Sequence, residues 1–247
     1  MSKYEGKTAV VTGGSSGIGL AAARILVAEG ATVIITARSA DALEAATKEL
    51  GPKAQGLVSD AAKIADIDAL ASNAAALGKI DFLFVNAGIA KFVPFESVTE
   101  AFYDETMAIN TKGAYFTIQR LAPHLASGGS VVVNTSVVDE KGMPTTSVYA
   151  ASKAALRSLA RTLAAELLPK GIRVNAVSPG PITTPIYGKL GLPKEAQDGF
   201  VAQMTEGNRM KRFGTTEEVA RAALFLGFDA TYTTGAELPV DGGLTQL

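Results

Sequence analysis

The sequence predicts an α/β fold, one doubly wound sheet of about seven parallel strands with helices on both faces. Short β-branched or apolar runs alternate with longer, alanine-rich segments of helical period. The short runs are continuously apolar, as in parallel strands covered on both faces. No Pro- or Ser-rich linker and no internal repeat divides the 247 residues, so a single domain over 1–247 is expected.

Thr8–Thr12 is the first strand, with Ala9-Val10-Val11 at its centre, and Gly17–Glu29 is the helix after it. Ala31–Thr36 is the second strand, followed by helix Ala40–Leu50; Ala54–Val58 is the third, followed by helix Ile64–Leu77. Phe82–Val85 is the fourth strand, and the longest helical segment, Thr99–Leu125, comes next. Ser130–Thr135 is the fifth strand, built on three consecutive valines, and Ser147–Leu168 is its helix. Arg173–Val177, helix Glu217–Leu226 and strand Leu238–Val240 complete the pattern. Between Pro179 and Gly214 the alternation stops: four prolines and several glycines interrupt it, with no strand pattern. A long interruption in a compact domain is usually functional, so a substrate lid is expected at about 181–213.

Composition excludes several classes. With 47% hydrophobic and 19% charged residues and a net charge of −1, the chain carries no sign of a nucleic-acid surface. There is no cysteine, which excludes thiolate chemistry, and the single His124 leaves too few nitrogens for an ordinary zinc site, so no metal is expected. His124, beside Pro123 near the end of the long helix, is expected to cap terminal carbonyls. Met1–Lys7 has no apolar signal core and no stretch is long enough to cross a bilayer, so the expected location is the cytoplasm.

The segment Thr12-Gly13-Gly14-Ser15-Ser16-Gly17-Ile18-Gly19 carries three overlapping motifs. A G-x-S-x-G nucleophile elbow is excluded by position, because the serine follows the first strand and the only histidine precedes three further strands. A P-loop needs Lys and Ser/Thr after its last glycine, where this chain has Leu20 and Ala21. What remains is a glycine-rich turn from a first strand into a helix. Gly13 turns the chain, Gly17 admits a pyrophosphate to the backbone, and Gly19 permits close packing, with the helix N-terminus offering N–H groups to phosphate.

The form Thr12-Gly13-x-x-x-Gly17-x-Gly19 resembles the cofactor motif of the classical short-chain dehydrogenases/reductases, and further matches run in order along nearly the whole chain. Asp60 follows the third strand, and Asn86-Ala87-Gly88 ends the fourth, with Val85 where the family usually has another asparagine. Asn110 stands in Ala108-Ile109-Asn110-Thr111, Ser136 follows the fifth strand, Tyr149-x-x-x-Lys153 supplies the Tyr/Lys pair, and Pro179-Gly180 follows the sixth strand. The resemblance implies a Rossmann-type domain. It also implies cofactor contacts from Gly13, Ser15, Ser16, Gly17, Ile18, Gly19, Arg38, Ser39, Asp60, Ala61, Asn86, Ala87, Gly88, Tyr149, Lys153, Pro179, Gly180, Ile182 and Thr184, with Asp60 near the adenine.

On a helix Tyr149 and Lys153 share a face. A free phenol titrates near 10; a nearby ammonium and the positive ring of an oxidised nicotinamide favour phenolate, and a shift of about three units corresponds to roughly 4 kcal/mol. Tyr149 is therefore expected to be the general acid/base and Ser136 to hydrogen-bond the substrate oxygen. The resemblance implies that Asn110 holds a water linking Lys153 to solvent, which makes the catalytic set Ser136, Tyr149, Lys153 and Asn110.

NAD-selective sites place an acid at the end of the second strand. That position is Ala37, with Arg38 next and Ser39 after it, so NADP(H) is the expected cofactor, with Ser15 assisting. The pocket is expected to include Val137, Val138, Met143, Pro144, Ile186, Tyr187, Leu190 and Leu192, mostly apolar, with Asp139, Glu140 and Lys141 at the rim. This favours a hydrophobic ketone or secondary alcohol, and the resemblance is to bacterial NADPH-dependent secondary-alcohol dehydrogenases. The 3-oxoacyl-carrier-protein reductases share the core motifs and remain an alternative, since Ala90 and Lys91 follow the Asn-Ala-Gly motif; a non-catalytic NADP-binding protein is a third. Enoyl reductases of the superfamily space their tyrosine and lysine more widely. By family analogy the chain is a homotetramer, and the alanine pairs 150–151, 154–155 and 164–165 permit close helix contact or face the chain's own sheet.

Overall fold

The computed structural model describes residues 2–184 and 194–247, apart from the side chains of Lys194, Ala196, Gln197 and Phe200. Seven strands form one parallel sheet: β1 (Thr8–Val11), β2 (Thr32–Ala37), β3 (Ala54–Val58), β4 (Ile80–Val85), β5 (Leu125–Asn134), β6 (Arg173–Pro179) and β7 (Glu237–Val240). Their spatial order is β3-β2-β1-β4-β5-β6-β7. The order reverses at β1, which lies between β2 and β4. In open α/β sheets that reversal leaves a crevice at the carboxyl ends of the strands, the usual place for a ligand.

Alternation along each strand divides the core between the two faces. Ala9, Val11, Val33, Ile35, Phe82 and Phe84 pack on one side with Leu26 of α1 (Gly17–Ala28), Leu43 of α2 (Ala40–Leu50) and Val219 of α8 (Thr216–Leu224). Val10, Ile34, Leu83, Val85, Val131 and Val133 pack on the other with Leu70 of α3 (Ile64–Ala76), Ile118 of α5 (Ala114–Leu121) and Leu156 of α6 (Ser147–Leu167). Among the described residues no helix is long and apolar enough to cross a membrane.

Three stretches differ from the sequence expectation. The segment expected as one helix, Thr99–Leu125, is α4 (Glu100–Met107), a π-helical turn over Ala108–Gly113, α5 and a short 3-10 turn, Ala122–His124. The wide turn accommodates a close approach: a Cβ on Gly113 would stand 2.2 Å from the Ala61 carbonyl oxygen. Leu125 belongs to β5, which begins five residues before the expected Ser130 and pairs with Ile80 before a register shift. His124 thus leads directly into a strand. Finally, α7 (Lys194–Gly207) falls in the stretch expected as a lid with no strand pattern, where no helix was expected; it has two glycines and little apolar periodicity to reveal it.

Candidate active site

The glycine turn is clipped to the end of β4 by side chains. Thr12 Oγ1 accepts hydrogen bonds from the backbone N–H groups of Asn86 (2.9 Å) and Ala87 (3.0 Å). Asn86 Nδ2 donates in return to the carbonyls of Thr12 (3.0 Å) and Gly13 (3.2 Å). Gly13 and Gly17 take left-handed backbone, φ 65° and 55°. Gly19 has a different reason: a Cβ there would lie 2.3 Å from the Gly13 carbonyl oxygen. Ser16 precedes α1 without a side-chain cap, and the first turn holds no acidic residue, so its N–H groups and positive partial charge face the cleft.

Arg38 is exposed at the end of β2, and no carboxylate pairs with it among the described residues. Ser39 caps α2, its Oγ accepting from Ala42 N at 3.3 Å. Asp60 lies past β3, its Oδ1 accepting from Ala62 N at 3.0 Å.

Asn110, fully buried on the π turn, has a side chain that is already engaged. Oδ1 accepts from Ile89 N (2.8 Å), and Nδ2 donates to Ile89 O (2.9 Å) and Ser152 Oγ (3.0 Å). The amide fixes the loop after Gly88.

Ser136 follows β5, and Tyr149 and Lys153 sit on successive turns of α6. Ser136 lies close enough to the Tyr149 hydroxyl to favour its ionised form. Lys153 Nζ donates to the Asn134 carbonyl at 2.7 Å and lies 5.7 Å from the centre of the Tyr149 ring. Burial dominates both titrations. It pushes the Tyr149 phenol above its usual value, against the influence of Ser136, and it lowers Lys153 to about 8. The expected lowering of the phenol counts the oxidised nicotinamide's charge together with Lys153; in the protein alone burial leads and pushes the phenol up. Phe92 stacks at a tilt against Tyr149, ring centres 6.1 Å apart.

These residues line one cleft of about 860 Å³ at the carboxyl ends of the strands. Of the expected contacts, Gly13, Ser15, Ser16, Gly17, Ile18, Arg38, Ser39, Asp60, Ala61, Asn86, Ala87, Gly88, Ser136, Val137, Val138, Met143, Tyr149, Lys153, Pro179, Gly180, Ile182 and Thr184 are in its wall. Gly19 and Asn110 stand behind it in supporting positions. Ile186, Tyr187, Leu190 and Leu192 lie outside the described residues. Asp139, expected at the rim, is turned inward instead, with both carboxylate oxygens buried. Sequence reading missed Phe92, Asn134 and Met204 of α7. Asn134 had a signal, a polar residue ending the run Val131-Val132-Val133. Its Nδ2 donates to Asn86 Oδ1 at 2.9 Å, while its own Oδ1 is buried with no partner.

The expected lid has a fixed base. Gly214 N donates to Pro181 O, and Thr183 N to Gly214 O, both at 2.9 Å.

Comparison with known proteins identifies this arrangement. A family model described as enoyl-(acyl carrier protein) reductase matches residues 13–245. A solved structure described as a short chain dehydrogenase/reductase family protein superimposes with a TM-score of 0.88, at 40% identity over 99% of both chains. The chain belongs to the short-chain dehydrogenase/reductase family. Similar members include a 2-(S)-hydroxypropyl-CoM dehydrogenase of Xanthobacter autotrophicus, 35% identical over 99% of both chains. Another is the 3-oxoacyl-[acyl-carrier-protein] reductase of Thermotoga maritima, 36% identical over 98% of this chain and 99% of its own. Membership makes this short-chain dehydrogenase/reductase an oxidoreductase and implies a nicotinamide cofactor. The cleft fits a dinucleotide: left-handed Gly17 and an uncapped helix N-terminus face it, and Thr184 Oγ1 and Asn134 Oδ1 are buried polar atoms without partners.

Proposed function

We infer that the protein transfers hydride reversibly between NADP(H) and a hydrophobic ketone or secondary alcohol. The observation that carries this reading is the assembly of Ser136, Tyr149 and Lys153 in one cleft, with Lys153 anchored on the Asn134 carbonyl. When bound, the reduced nicotinamide supplies the hydride that reaches the carbonyl carbon. Ser136 orients the carbonyl oxygen and Tyr149 gives it a proton, so that carbon gains the hydride and oxygen the proton. Lys153 stabilises the phenolate left behind, and solvent returns the proton. The raised Tyr149 phenol is in the donating form at neutral pH, which favours the reductive direction. Asn110 supports the site from behind through Ile89.

Arg38, exposed and free of any carboxylate among the described residues, supports NADP(H): a guanidinium there suits a 2′-phosphate. Val138, Met143, Phe92 and Met204 give the inner cleft an apolar lining, which supports a hydrophobic substrate. In this reading residues 1–247 are one cytoplasmic domain with a lid at about 181–213, assembled as a homotetramer. On α6, Ala151, Ala154 and Ala165 are exposed, while Ala164 packs into the chain's own core.

The second reading, a 3-oxoacyl thioester reductase, is favoured by the similarity to the Thermotoga maritima enzyme. Lys91, the basic residue after the Asn-Ala-Gly motif, is already paired with Glu105 at 2.6 Å, which weakens it as a docking charge for an acidic carrier. Oxidation of NADPH, and separately NADH, over aryl alkyl ketones, α-diketones, acetoacetyl thioesters and ketoses tests the reading. NADPH-dependent turnover of the ketones supports it. Turnover of the thioester alone moves the assignment to fatty-acid synthesis, and no turnover favours a binding protein.

A further inference from the structure

Asp139 ends the short turn that begins after Ser136, and both of its carboxylate oxygens are buried with no hydrogen-bond donor among the described residues. The group it meets is another carboxyl, Glu237 at the start of β7. Glu237 is itself almost fully enclosed, with 5% of its side chain exposed. Its Oε1 accepts from Thr135 Oγ1 at 2.5 Å and its Oε2 pairs with Arg157 Nε at 3.0 Å. The remaining charges nearby are Glu140, on the same turn, and Tyr149 and Lys153 on α6, both of which feel Asp139. Asp241 is occupied separately, accepting from Gly243 N and Thr245 N at 2.9 Å.

Two enclosed carboxylates that act on each other cannot both stay ionised cheaply, and neither can donate unless one holds a proton. Arg157 neutralises one negative charge, not two. We propose that Asp139 and Glu237 share one proton, and that loss of this proton places a negative charge behind Tyr149 and Lys153 that holds both in their protonated forms. Asp139 is on this account a positioning residue acting through the Tyr/Lys pair. Burial and the neighbouring Glu237 lift its carboxyl to about 7, so the change falls near neutrality. With the proton in place the pair and Arg157 sum to zero; without it the sum is −1. The device delays loss of the Lys153 ammonium as pH rises.

The proposal rests on Tyr149 and Lys153 being the proton-transfer groups, but its test does not need turnover. Infrared spectra of the full-length protein from about pH 6 to about pH 9 should show one protonated carboxyl that disappears with a midpoint near neutrality. Asp139→Asn should lack it, and Glu237→Gln should move its loss to lower pH. Ultraviolet titration of tyrosinate, with Tyr149→Phe identifying the signal, reads the second part. In Asp139→Asn the Tyr149 midpoint should fall by about half a pH unit or more, because the variant lacks the charge at alkaline pH. Should Asp139→Asn not fold, Asp139→Ser, which also removes the charge, should show a fall in the same direction. A wild type with no titrating carboxyl near neutrality, or a Tyr149 midpoint that does not move, overturns the proposal. If instead Tyr149→Phe retained turnover, the proposed function would fail while these titrations still decided the shared proton.

Discussion

Lys153 donates its buried ammonium to the carbonyl oxygen of Asn134 at 2.7 Å, so an enclosed charge rests on the backbone at the end of β5. Its folded-state value, about 8, lies below the ordinary 10.5. Between those values the folded state binds fewer protons than the unfolded chain, so this group's contribution to stability rises with pH through that window. At neutral pH the buried ammonium destabilises the fold, relative to a neutral amine there, by an amount on the order of 3 kcal/mol. Lys153→Met should therefore abolish turnover while leaving the melting temperature at pH 7 unchanged or higher. A clear fall in Tm measured by calorimetry would mean that the lysine is a structural residue.

The same titration sets the pH dependence of catalysis. The phenol of Tyr149 is raised, so it stays a proton donor throughout the physiological range. Lys153 loses its charge as pH rises through about 8. Carbonyl reduction should hold steady near neutrality and decline above that point, as kcat/KM measured against pH would show. A reduction rate that climbed from pH 7 to about pH 9 would contradict the assignment.

The Thr12 hydroxyl, on a buried side chain, serves two partly buried N–H groups, those of Asn86 and Ala87. Thr12→Val keeps the shape and leaves both donors unpaired, which should cost about 2–4 kcal/mol. For a domain of this size that corresponds to a fall in Tm of about 10 °C, with weaker cofactor binding because the turn loses its clip. Chemical denaturation would check the free energy. Near-wild-type stability would show that these N–H groups find other partners.

Arg38→Ala should raise the KM for NADPH by roughly tenfold or more and change the KM for NADH little, the loss expected for one charge-assisted contact to phosphate. Steady-state kinetics with both cofactors distinguishes this from an arginine that only faces water, for which the two constants change equally.

Much of this site was legible because its signals are local. The turn from Thr12 to Gly19 has to bend and to approach other backbone, and only glycine permits both, so the residue types stand in sequence order. Tyr149 and Lys153 are four apart on one helix and needed no tertiary knowledge. The central strands were visible because they are apolar runs largely buried on both faces, while the edge strands β3 and β7 are only partly covered. What stayed hidden depends on partners distant in the chain. The fate of Asp139 is decided by Glu237, nearly a hundred residues later, and without that neighbour an aspartate after a valine pair reads as a rim residue. Asn110 has the spacing of a site residue, but its amide is committed to Ile89 and Ser152 by the π turn, and the periodicity of Thr99–Leu125 runs through that turn without marking it. The helix Lys194–Gly207 escaped because it carries a glycine at each of two positions and few apolar residues.

The central claim is that Tyr149 passes the proton. Its most direct test is Tyr149→Phe, assayed for NADPH oxidation with a hydrophobic ketone that the wild type reduces, alongside cofactor affinity by nucleotide fluorescence. The account predicts a fall in kcat of about 10²–10⁴-fold with NADPH affinity nearly unchanged. Turnover within about tenfold of wild type would contradict it, because the hydroxyl is the one group this substitution removes.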